Sequence, residues 1–380
     1  MSKLFDFIKN NAILCISGIL AVISCFFVTP DKEYVGYINF KVLAILFALM
    51  LIVAALVRIG TFDILTGKLL KRIRSVRGIA LLLTILSFFL SMLLTNDVTL
   101  VTLVPFAIMV LEPFGRRRDL MYTLIIMTVA ANLGSMMTPI GNPQNLYLYE
   151  KYHIALPEFI LLMLPYSAVS LLLVIVLIFV LIRARKDAQS SFKSESKELN
   201  KVKLIIYIAL FILNVLTVAG FVHFLISLIV TSVALLIIDR GSFAKVDYKL
   251  LLTFVFFFVL IGNIGRISAI TDALAGLVTK YPVPAAVLSS QIISNVPAAM
   301  LLSAFTENGR ALVIGTNLGG LGTIIASMAS LITYRFYGEH KKKPYSGEQK
   351  SGSYLLAFSI INIVILILLF GFYSVLTLPS

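Results

Sequence analysis

Charged side chains are scarce in this chain: they occupy 13% of its 380 positions, whereas hydrophobic residues occupy 59%. A soluble protein of this length needs far more polar surface than that composition supplies. Uncharged apolar runs of about 18 residues or more recur along the chain, and a helix of that length crosses the hydrocarbon core of a bilayer. The composition therefore predicts an all-α protein with several transmembrane helices.

Cysteine and histidine are also rare. Cys15 and Cys25 both lie in the first apolar run, which argues against a disulfide framework or a thiolate metal site. His153, His223 and His340 do not have the spacing of metal ligands. The sequence lacks a phosphate-binding Walker loop and a nucleophile elbow. We therefore expect neither an enzyme nor an ATP-driven pump, and no cofactor other than a coupling Na+ or H+.

The net charge of +14 is explained by membrane topology, so we do not expect nucleic acid binding. Six segments hold 26 of the 32 Lys and Arg residues, and the positive-inside rule places such segments in the cytoplasm. This pattern predicts a multi-pass protein of the inner (cell) membrane, with its N-terminus in the cytoplasm and its C-terminus outside. The six segments are the N-terminus, 58–77, 116–118, 183–203, 240–249 and 335–350.

About nine transmembrane helices are predicted from the apolar runs. Two further apolar segments, 79–111 and 282–305, are each interrupted midway by polar residues, and lipid cannot satisfy exposed polar backbone groups. We predict that each folds as a re-entrant hairpin whose arms are too short to cross the membrane comfortably. The nine predicted spans are 11–28, 39–59, 119–147, 157–183, 202–219, 221–238, 249–266, 310–335 and 353–377.

An internal repeat relates the two halves of the chain. Residues 132–142 align with residues 317–327 at a constant shift of 185, and each stretch follows one of the hairpins. Proline and glycine in the first stretch predict a broken helix over 119–147. The second stretch is rich in glycine but lacks proline, so we predict a milder break in the helix over 310–335.

The repeat also predicts the domain organisation. Five crossings separate the first span from its partner, an odd number that inverts the second repeat, and inverted repeats are typical of alternating-access carriers. The predicted units are a first inverted repeat over 1–184, a polar cytoplasmic linker over 185–201, a linking transmembrane helix over 202–219 and a second inverted repeat over 220–380.

Polar residues at the hairpin tips and helix breaks are the candidate functional residues. Helix N-termini attract anions, whereas carbonyl, hydroxyl and amide oxygens suit a small cation such as sodium, so both ligands can be held without charged side chains. Thr95, Asn96, Ser294 and Asn295 are therefore the first candidates for contact with a solute. The alternative is that such residues only join closely packed helices. Their duplication in the two halves favours a site.

Asp97 is the one acidic residue deep within an apolar segment. An intramembrane carboxylate is a candidate functional group, which here could bind a cation or carry a proton. The alternative is a helix cap that satisfies the first amides of the second hairpin arm, 98–111. The sequence leaves both interpretations open.

In these elements the sequence resembles the ion transporter superfamily that includes divalent anion/sodium symporters, citrate transporters and arsenite permeases. The likeness rests on residues 94–99, 134–145, 294–297 and 315–320. It implies that Asn96 and Asn295 contact substrate carboxylates, that the tips and broken helices bind sodium, and that the protein forms a homodimer in the bilayer. The resemblance places Gly134, Thr138, Gly319 and Thr323 near the cations.

Two sets of residues are predicted from the pattern and the resemblance together. The predicted substrate-binding residues are Thr95, Asn96, Asp97, Asn142, Pro143, Gln144, Asn145, Ser294, Asn295, Val296 and Pro297. The predicted cation-binding residues are Asn96, Asp97, Asn132, Gly134, Ser135, Thr138, Asn295, Asn317, Gly319, Gly320 and Thr323.

The expected function is secondary active transport of a small anion, a di- or tricarboxylate or an inorganic oxyanion, coupled to Na+ or H+. Dicarboxylate symporters of the resembled superfamily have Ser-Asn-Thr at both tips, whereas this chain has Thr95-Asn96-Asp97 and Ser294-Asn295-Val296. The Asn-Asp pair is closer to the arsenite-permease branch. The alternatives are therefore efflux of arsenite or another metalloid, Na+/H+ antiport through Asp97, and a passive channel.

Overall fold

The computed structural model describes residues 11–70, 73, 75–114, 117–184, 200–267, 276, 278–341 and 353–377. Most of these residues are helical, and no β-strand occurs among them. The predicted all-α fold class is therefore confirmed. Most of the predicted cytoplasmic linker, 185–201, lies outside the described residues.

The described residues before this linker form nine α-helices. One short 3-10 turn, Glu112–Phe114, follows α6, and two more lie between α7 and α8. The helices are α1 (Ala12–Phe27), α2 (Glu33–Tyr37), α3 (Phe40–Arg58), α4 (Thr61–Leu70), α5 (Val76–Leu94), α6 (Asn96–Leu111), α7 (Arg117–Gly134), α8 (Pro143–Lys151) and α9 (Leu156–Leu181).

The described residues after the linker form eight further α-helices. A 3-10 turn, Arg240–Lys245, joins the second and third of them. The helices are α10 (Lys201–Val218), α11 (Phe224–Ile238), α12 (Tyr248–Gly265), α13 (Pro282–Ile293), α14 (Asn295–Leu302), α15 (Gly309–Leu318), α16 (Met328–Lys341) and α17 (Tyr354–Leu376).

Side-chain caps determine where several helices begin. Each capping oxygen accepts a hydrogen bond from the backbone N–H three residues later, which satisfies one of the free donors of the first turn. The second hairpin arms, α6 and α14, have no such cap from the residue that precedes them. The capping residues are Asn39, Ser75, Asn200, Asp247, Asn308 and Ser353.

Seven helices are long and apolar enough to cross a membrane: α3, α5, α7 with its following 3-10 turn, α9, α10, α12 and α17. Helices α1 and α11 are apolar but have only 16 and 15 residues. Many apolar side chains of α9, α10 and α17 are exposed, Leu172, Ile205 and Ile367 among them, as expected for helices that face lipid. The chain is a multi-pass membrane protein, while the count of nine spans stays a prediction.

Each predicted hairpin is a pair of helices separated by one residue. Helix α5 packs against α6 on either side of Thr95, and α13 packs against α14 on either side of Ser294. The backbone angles are φ 71° and ψ 152° at Thr95, and φ 73° and ψ 156° at Ser294. This region is essentially restricted to glycine, so both tips have the same strained backbone.

One prediction about the hairpins is wrong. Helix α5 has 19 residues, which makes it about 28 Å long and sufficient to cross the hydrocarbon core. The reason is the cap at Ser75, which starts the helix three residues before the predicted beginning of the hairpin at 79. The other three arms are shorter, with 16, 12 and 8 residues.

Both predicted broken helices are interrupted, but the second break is not the milder one. In the first, residues 135–142 separate α7 from α8 and contain two 3-10 turns, Ser135–Met137 and Pro139–Gly141. We call this segment the first break. Residues 319–327, the second break, form no α-helix or 3-10 helix and contain only isolated hydrogen-bonded turns, such as the bond from the N–H of Ala326 to the carbonyl oxygen of Thr323. The physical reason is that the fixed φ of proline suits the first position of a helical turn, whereas Gly322 has a φ of 102° that ends helical geometry.

Helix α7 lies at the centre of the first half. Its side chains are buried from Asp119 to Gly134, with the exception of Tyr122, and it packs against α5, α6, α9 and α16.

The first hairpin tip lies beside α3, because Thr95 lines an apolar pocket together with Leu49 and Met50 of that helix. These residues lie at the middle of a 19-residue apolar helix. The first tip therefore lies level with the middle of a candidate membrane span.

Candidate functional site

The first hairpin tip binds the first broken helix through Asn96. Its Nδ2 donates a hydrogen bond to Oδ1 of Asn132 on α7 at 2.9 Å. Its own Oδ1 accepts the backbone N–H of Asp97 at 2.9 Å. The Asn96 side chain is buried, so its amide is held by partners on both sides. A solute or ion that contacts Asn96 must add to this network or replace part of it.

The second hairpin tip is attached to the second break through the backbone. The N–H of Asn295 and the hydroxyl of Ser294 both donate to the carbonyl oxygen of Ala326, at 3.0 and 3.3 Å. The Oδ1 of Asn295 accepts the N–H of Val296 at 3.0 Å, as Asn96 does with its own neighbour. The Asn295 Nδ2 lies 3.1 Å from the position that a Cβ on Gly320 would occupy. Glycine therefore lets the tip amide approach the break closely.

Asn132 connects the two tips. Its Oδ1 accepts hydrogen bonds from Asn96 at 2.9 Å and from the hydroxyl of Ser327 at 3.0 Å. Ser327 directly follows Ala326, which holds Asn295 of the second tip. The two hairpin tips and the two helix breaks therefore meet in one buried polar region. We call this region the polar centre, and it consists of Asn96, Asn132, Asn145, Asn295, Asn317, Ala326 and Ser327.

Side-chain amides satisfy the backbone of the first break. Asn145 donates through Nδ2 to the carbonyl oxygens of Ser135 and Thr138, both at 3.2 Å. Asn142 donates through Nδ2 to the hydroxyl of Ser135. The two Asn145 bonds supply partners for carbonyl groups of the interrupted helix, and the Asn142 bond holds the Ser135 hydroxyl beside them.

Gln291 of α13 does the same for the second break. Its Nε2 donates to the carbonyl oxygens of Gly319 and Leu321, both at 2.9 Å, and its Oε1 accepts the N–H of Thr323 at 2.9 Å. Sequence reasoning missed this residue. The available signal is a glutamine in an apolar hairpin arm, four residues before the tip residue Asn295.

One hydroxyl-to-carbonyl contact occurs in both halves of the chain. The Oγ1 of Thr138 donates to the carbonyl oxygen of Met92, and the Oγ1 of Thr323 donates to the carbonyl oxygen of Gln291. The two threonines are 185 residues apart, which is the shift of the sequence repeat. Each acceptor lies four residues before the asparagine of its hairpin tip. The same bond therefore joins a broken helix to a hairpin arm in each half.

Close packing of a glycine against a serine also recurs. A Cβ on Gly134 would overlap the carbonyl oxygen of Phe88 and lie 2.7 Å from the hydroxyl of Ser91. A Cβ on Gly319 would lie 2.6 Å from the hydroxyl of Ser290. Each serine lies five residues before the asparagine of its tip. Glycine is required at both positions because each broken helix touches the hairpin arm of its own half.

The two broken helices also contact each other reciprocally. Asn317 donates through Nδ2 to Oδ1 of Asn145 at 2.6 Å, and Asn132 donates through Nδ2 to the hydroxyl of Ser330 at 3.5 Å. Positions 132 and 317 are repeat equivalents, and so are positions 145 and 330. If each residue is replaced by its equivalent in the other half, the contact of Asn317 with Asn145 becomes the contact of Asn132 with Ser330.

Two buried amides near these contacts have polar atoms without a hydrogen-bond partner in the described part of the chain. Gln144 is completely buried, and neither its Nε2 nor its Oε1 is bonded. The Oδ1 of Asn317 is also unbonded. A buried polar atom left in this state costs about 1–3 kcal/mol, unless a water, an ion or a ligand completes it. These atoms are available to a bound solute or cation.

Asp97 lies in the first turn of α6 and is half-buried. The capping interpretation does not apply, because α6 begins at Asn96 and the Asn96 side chain already accepts the Asp97 N–H. Within the described residues, the Asp97 carboxylate makes no hydrogen bond or salt bridge, and the charge that acts on it is the carboxylate of Asp247. The group is therefore free to bind a cation or a proton.

The structure thus brings most predicted site residues into one network of contacts. The side chains of six predicted substrate residues make no hydrogen bond in this network among the described residues. Thr95 lines an apolar pocket, the Asp97 carboxylate and the Gln144 amide are unbonded, and the side chains of Pro143, Val296 and Pro297 are apolar. Sequence reasoning did not identify several residues that contribute hydrogen bonds between these elements. Among them are Met92, Gln291, Ala326, Ser327 and Ser330.

The comparison with protein families is decisive. The profile of the citrate transporter family (CitMHS) matches residues 4–308. The chain belongs to this family. The matched region includes both hairpin tips and the first broken helix, and it ends just before α15. The resemblance to transporters of this kind is confirmed, and the chain is a multi-pass membrane transporter.

Individual relatives of this CitMHS member agree with that assignment. The chain is 36% identical to the Uncharacterized transporter MJ0456 of Methanocaldococcus jannaschii, over 90% of this chain and 91% of that protein. It is 28% identical to the Inner membrane protein YbiR of Escherichia coli, over 85% and 87% of the two chains. A shorter match, 32% identical over 39% of this chain, covers 30% of the Silicon efflux transporter LSI3 of Oryza sativa subsp. japonica.

Proposed function

We propose that the protein is a secondary active transporter that moves a small anion, a di- or tricarboxylate or an inorganic oxyanion, together with Na+ or H+. The observation that carries this proposal is the meeting of two hairpin tips and two helix breaks at the polar centre, beside the unbonded amide of Gln144 and the unbonded carbonyl of Asn317. The family name, citrate transporter, supports an anionic solute.

The two halves act as inverted repeats in this proposal. Support comes from the contacts that recur at matching positions, Thr138 with Met92 and Thr323 with Gln291. Inverted repeats that share a central site allow the site to open to either side of the membrane in turn. In this mechanism the two re-entrant hairpins and the two broken helices carry the solute between the two open states.

The polar centre offers suitable groups for both ligands. Donors for an anion are the side-chain N–H groups of Asn96, Asn295 and Gln144. The Asn96 amide would exchange its bond with Asn132 for one to the solute, while the Gln144 amide has no partner to give up among the described residues. Acceptors for a cation are backbone carbonyls at the ends of α5 and α13, together with the hydroxyls of Thr138 and Thr323 that already lie against them. A cation bound there lowers the repulsion between Asp97 and an anionic solute.

The test is uptake by purified protein in proteoliposomes, with citrate, succinate, sulfate, phosphate and arsenite supplied in sodium or in choline buffer. We expect one anion to accumulate against its gradient only when a sodium or proton gradient is imposed. Asn96→Ala and Asn295→Ala should abolish that accumulation. The matched control is Asn362→Ala, since the Asn362 amide is buried and its one bond among the described residues is to Phe358 of its own helix. Normal uptake by both tip variants would refute the assigned site.

Cation/proton antiport is a second candidate function, and it is favoured by the half-buried carboxylate of Asp97, which has no hydrogen-bond or salt-bridge partner among the described residues. In that case no anion accumulates, and a sodium gradient drives proton movement across the vesicle membrane. Asp97→Asn removes the titratable group without changing the size of the side chain. Loss of sodium-driven proton movement in this variant, with no anion uptake by the wild type, would establish antiport. Efflux of a metalloid is tested by the arsenite arm of the uptake assay.

We also propose that the N-terminus lies in the cytoplasm and the C-terminus outside, in the cell membrane. The support is the asymmetric distribution of Lys and Arg along the sequence. Reporter fusions to the C-terminus test this orientation. Alkaline phosphatase, which is active only outside, should be active there, and green fluorescent protein should not fluoresce. The opposite result would reverse the proposed topology.

A further inference from the structure

Lys151 is a half-buried cation at the C-terminal end of α8, the helix that carries Gln144 and Asn145. Helix α8 begins at Pro143, passes through Gln144 and Asn145, and ends at Lys151. Lys151 lies six positions after Asn145, which corresponds to about 9 Å along the helix axis. Lys151 is not one of the predicted site residues, and the contacts of the polar centre do not include it.

The ammonium group of Lys151 is surrounded by hydroxyls and aromatic rings. Its Nζ donates to the hydroxyl of Ser303 at 3.0 Å. The rings of Tyr147 and Tyr152 lie 6.0 and 5.9 Å from the same nitrogen. Within the described chain no carboxylate lies in salt-bridge distance of Lys151, and the exposed Glu307 acts on it only over a longer distance.

Two cations in the neighbouring elements each have a carboxylate partner, in contrast to Lys151. Lys41 pairs with the adjacent acid, Glu150, at 2.6 Å. Arg310 also has a partner, Glu158, at 2.6 Å. A positive charge that is partly removed from water and lacks a close counter-ion attracts anions more strongly than an exposed lysine does.

The second hairpin ends at this cation. Ser303 directly follows α14, the arm that begins at Asn295, and its hydroxyl is also bonded to the hydroxyl of Tyr147 at 2.8 Å. The hydroxyl of Tyr152 donates to the carbonyl oxygen of Thr306 at 2.7 Å. Lys151 therefore lies at the boundary between α8 and the second hairpin, and both elements lead from it to the polar centre.

We propose that Lys151 binds the anionic solute in a second site, before the solute reaches the polar centre. The ligand class is a carboxylate or an inorganic oxyanion, which accepts hydrogen bonds from the ammonium N–H groups that are not donated to Ser303. This inference rests on the proposed function, because it assigns a negative charge to the solute. A neutral solute has no electrostatic attraction to this site.

Lysine in the last turn of a helix also has a structural role, because it compensates the partial negative charge of the helix end. Two variants separate the roles. Lys151→Gln can keep a hydrogen bond to Ser303 but removes the charge, while Lys151→Arg keeps the charge. The control is Lys280→Gln, because the Lys280 ammonium lies 5.1 Å from the ring of Tyr281 but is exposed.

The experiment measures the melting temperature of the four purified proteins with citrate, sulfate or phosphate, at ionic strengths of about 10 mM and about 0.15 M. Low salt extends the range of the lysine charge to about 30 Å, compared with about 8 Å at the higher ionic strength. We expect at least one anion to stabilise the wild type, Lys151→Arg and Lys280→Gln at low salt, with an apparent affinity about tenfold lower in Lys151→Gln. Higher salt should reduce this difference.

The inference is overturned if none of the three anions stabilises the wild type more than Lys151→Gln, or if Lys151→Arg behaves like Lys151→Gln. The uptake assay with Asn96→Ala and Asn295→Ala is independent of this result. Loss of uptake in the asparagine variants together with unchanged anion affinity in Lys151→Gln would remove the second site and leave the proposed function intact. Normal uptake in the asparagine variants with reduced affinity in Lys151→Gln would keep the second site and refute the assignment of the solute site to Asn96 and Asn295.

Discussion

Asn317 donates a hydrogen bond to Asn145 at 2.6 Å, across the boundary between the two broken helices. Both residues are buried. Asn317 also donates to the carbonyl oxygen of Val313 in its own helix, and Asn145 donates to two carbonyls of the first break. One amide pair therefore fixes the position of α15 relative to α8 and, through the first break, relative to α7.

We predict that Asn317→Ala destabilises the protein by about 1–3 kcal/mol, because the buried Asn145 oxygen loses its donor. Ser330→Ala removes the reciprocal contact with Asn132, which is longer at 3.5 Å, and should cost less. The measurement is the unfolding of each purified variant in detergent. Equal stability of the two variants would mean that the amide pair does not hold the broken helices together.

Thr95→Gly is expected to stabilise the first hairpin tip. Threonine at φ 71° and ψ 152° is strained by about 1–3 kcal/mol, and glycine adopts this conformation without that cost. Thr95→Ala keeps a Cβ and should not relieve the strain, so it is the matched control. The readout is the melting temperature. A glycine variant that melts no higher than the alanine variant would show that the tip is not strained.

At the second tip, the expected gain from Ser294→Gly is smaller. The serine hydroxyl donates to the carbonyl oxygen of Ala326 at 3.3 Å, and the substitution removes this bond, which contributes about 1 kcal/mol. Relief of strain and loss of the bond therefore oppose each other. Thr95→Gly should raise the melting temperature more than Ser294→Gly does.

Gly134→Ala is predicted to be strongly destabilising, because its Cβ would overlap the backbone carbonyl of Phe88, which cannot move without displacing α5. Gly319→Ala meets the side chain of Ser290 and should cost less. The control is Gly371→Ala in α17, where a Cβ meets nothing within 4 Å and alanine should stabilise the helix by up to about 1 kcal/mol. Expression level and melting temperature of the three variants test this order.

An ion pair between α3 and the end of α11 should make stability depend on pH. The Nε of Arg58 lies 3.1 Å from Oδ2 of Asp239. Burial raises the pKa of Asp239, but hydrogen bonds from Arg58 and Ser242 outweigh it and hold the pKa below its ordinary value. A carboxyl group whose folded pKa is lowered stabilises the protein above its unfolded pKa of about 3.9, and this contribution is lost as the pH falls through the folded value.

Asp239→Asn should therefore lower stability at neutral pH by up to about 1 kcal/mol and have a smaller effect at pH values near 3. Arg58→Gln should act in the same direction. Melting temperatures at several pH values between about 3 and 7 provide the test. A constant difference between Asp239→Asn and wild type across this range would show that the ion pair does not contribute to the pH dependence.

The sequence alone located the interruptions of the helices. The breaks are marked by local exceptions within long apolar runs, namely Thr95, Ser294, the glycines and prolines after Asn132, and the glycines after Asn317. Polar and helix-breaking residues at membrane depth are costly, so their positions are informative without a structure. The length of α5 was misjudged because its start depends on a cap at Ser75. The second break was misjudged because three glycines disrupt a helix more than its lack of proline suggested.

Membrane class, helical fold and the places where a site can form were thus determined by the sequence, since they depend on composition and local pattern. Only the tertiary structure decided which polar groups meet. Asn145 and Asn317 are 172 residues apart, and Asn132 and Ser327 are 195 residues apart. The role of Gln291 in holding the second break and the environment of Lys151 depend equally on how the helices pack. Such contacts arise from packing, and no local feature of the chain specifies them.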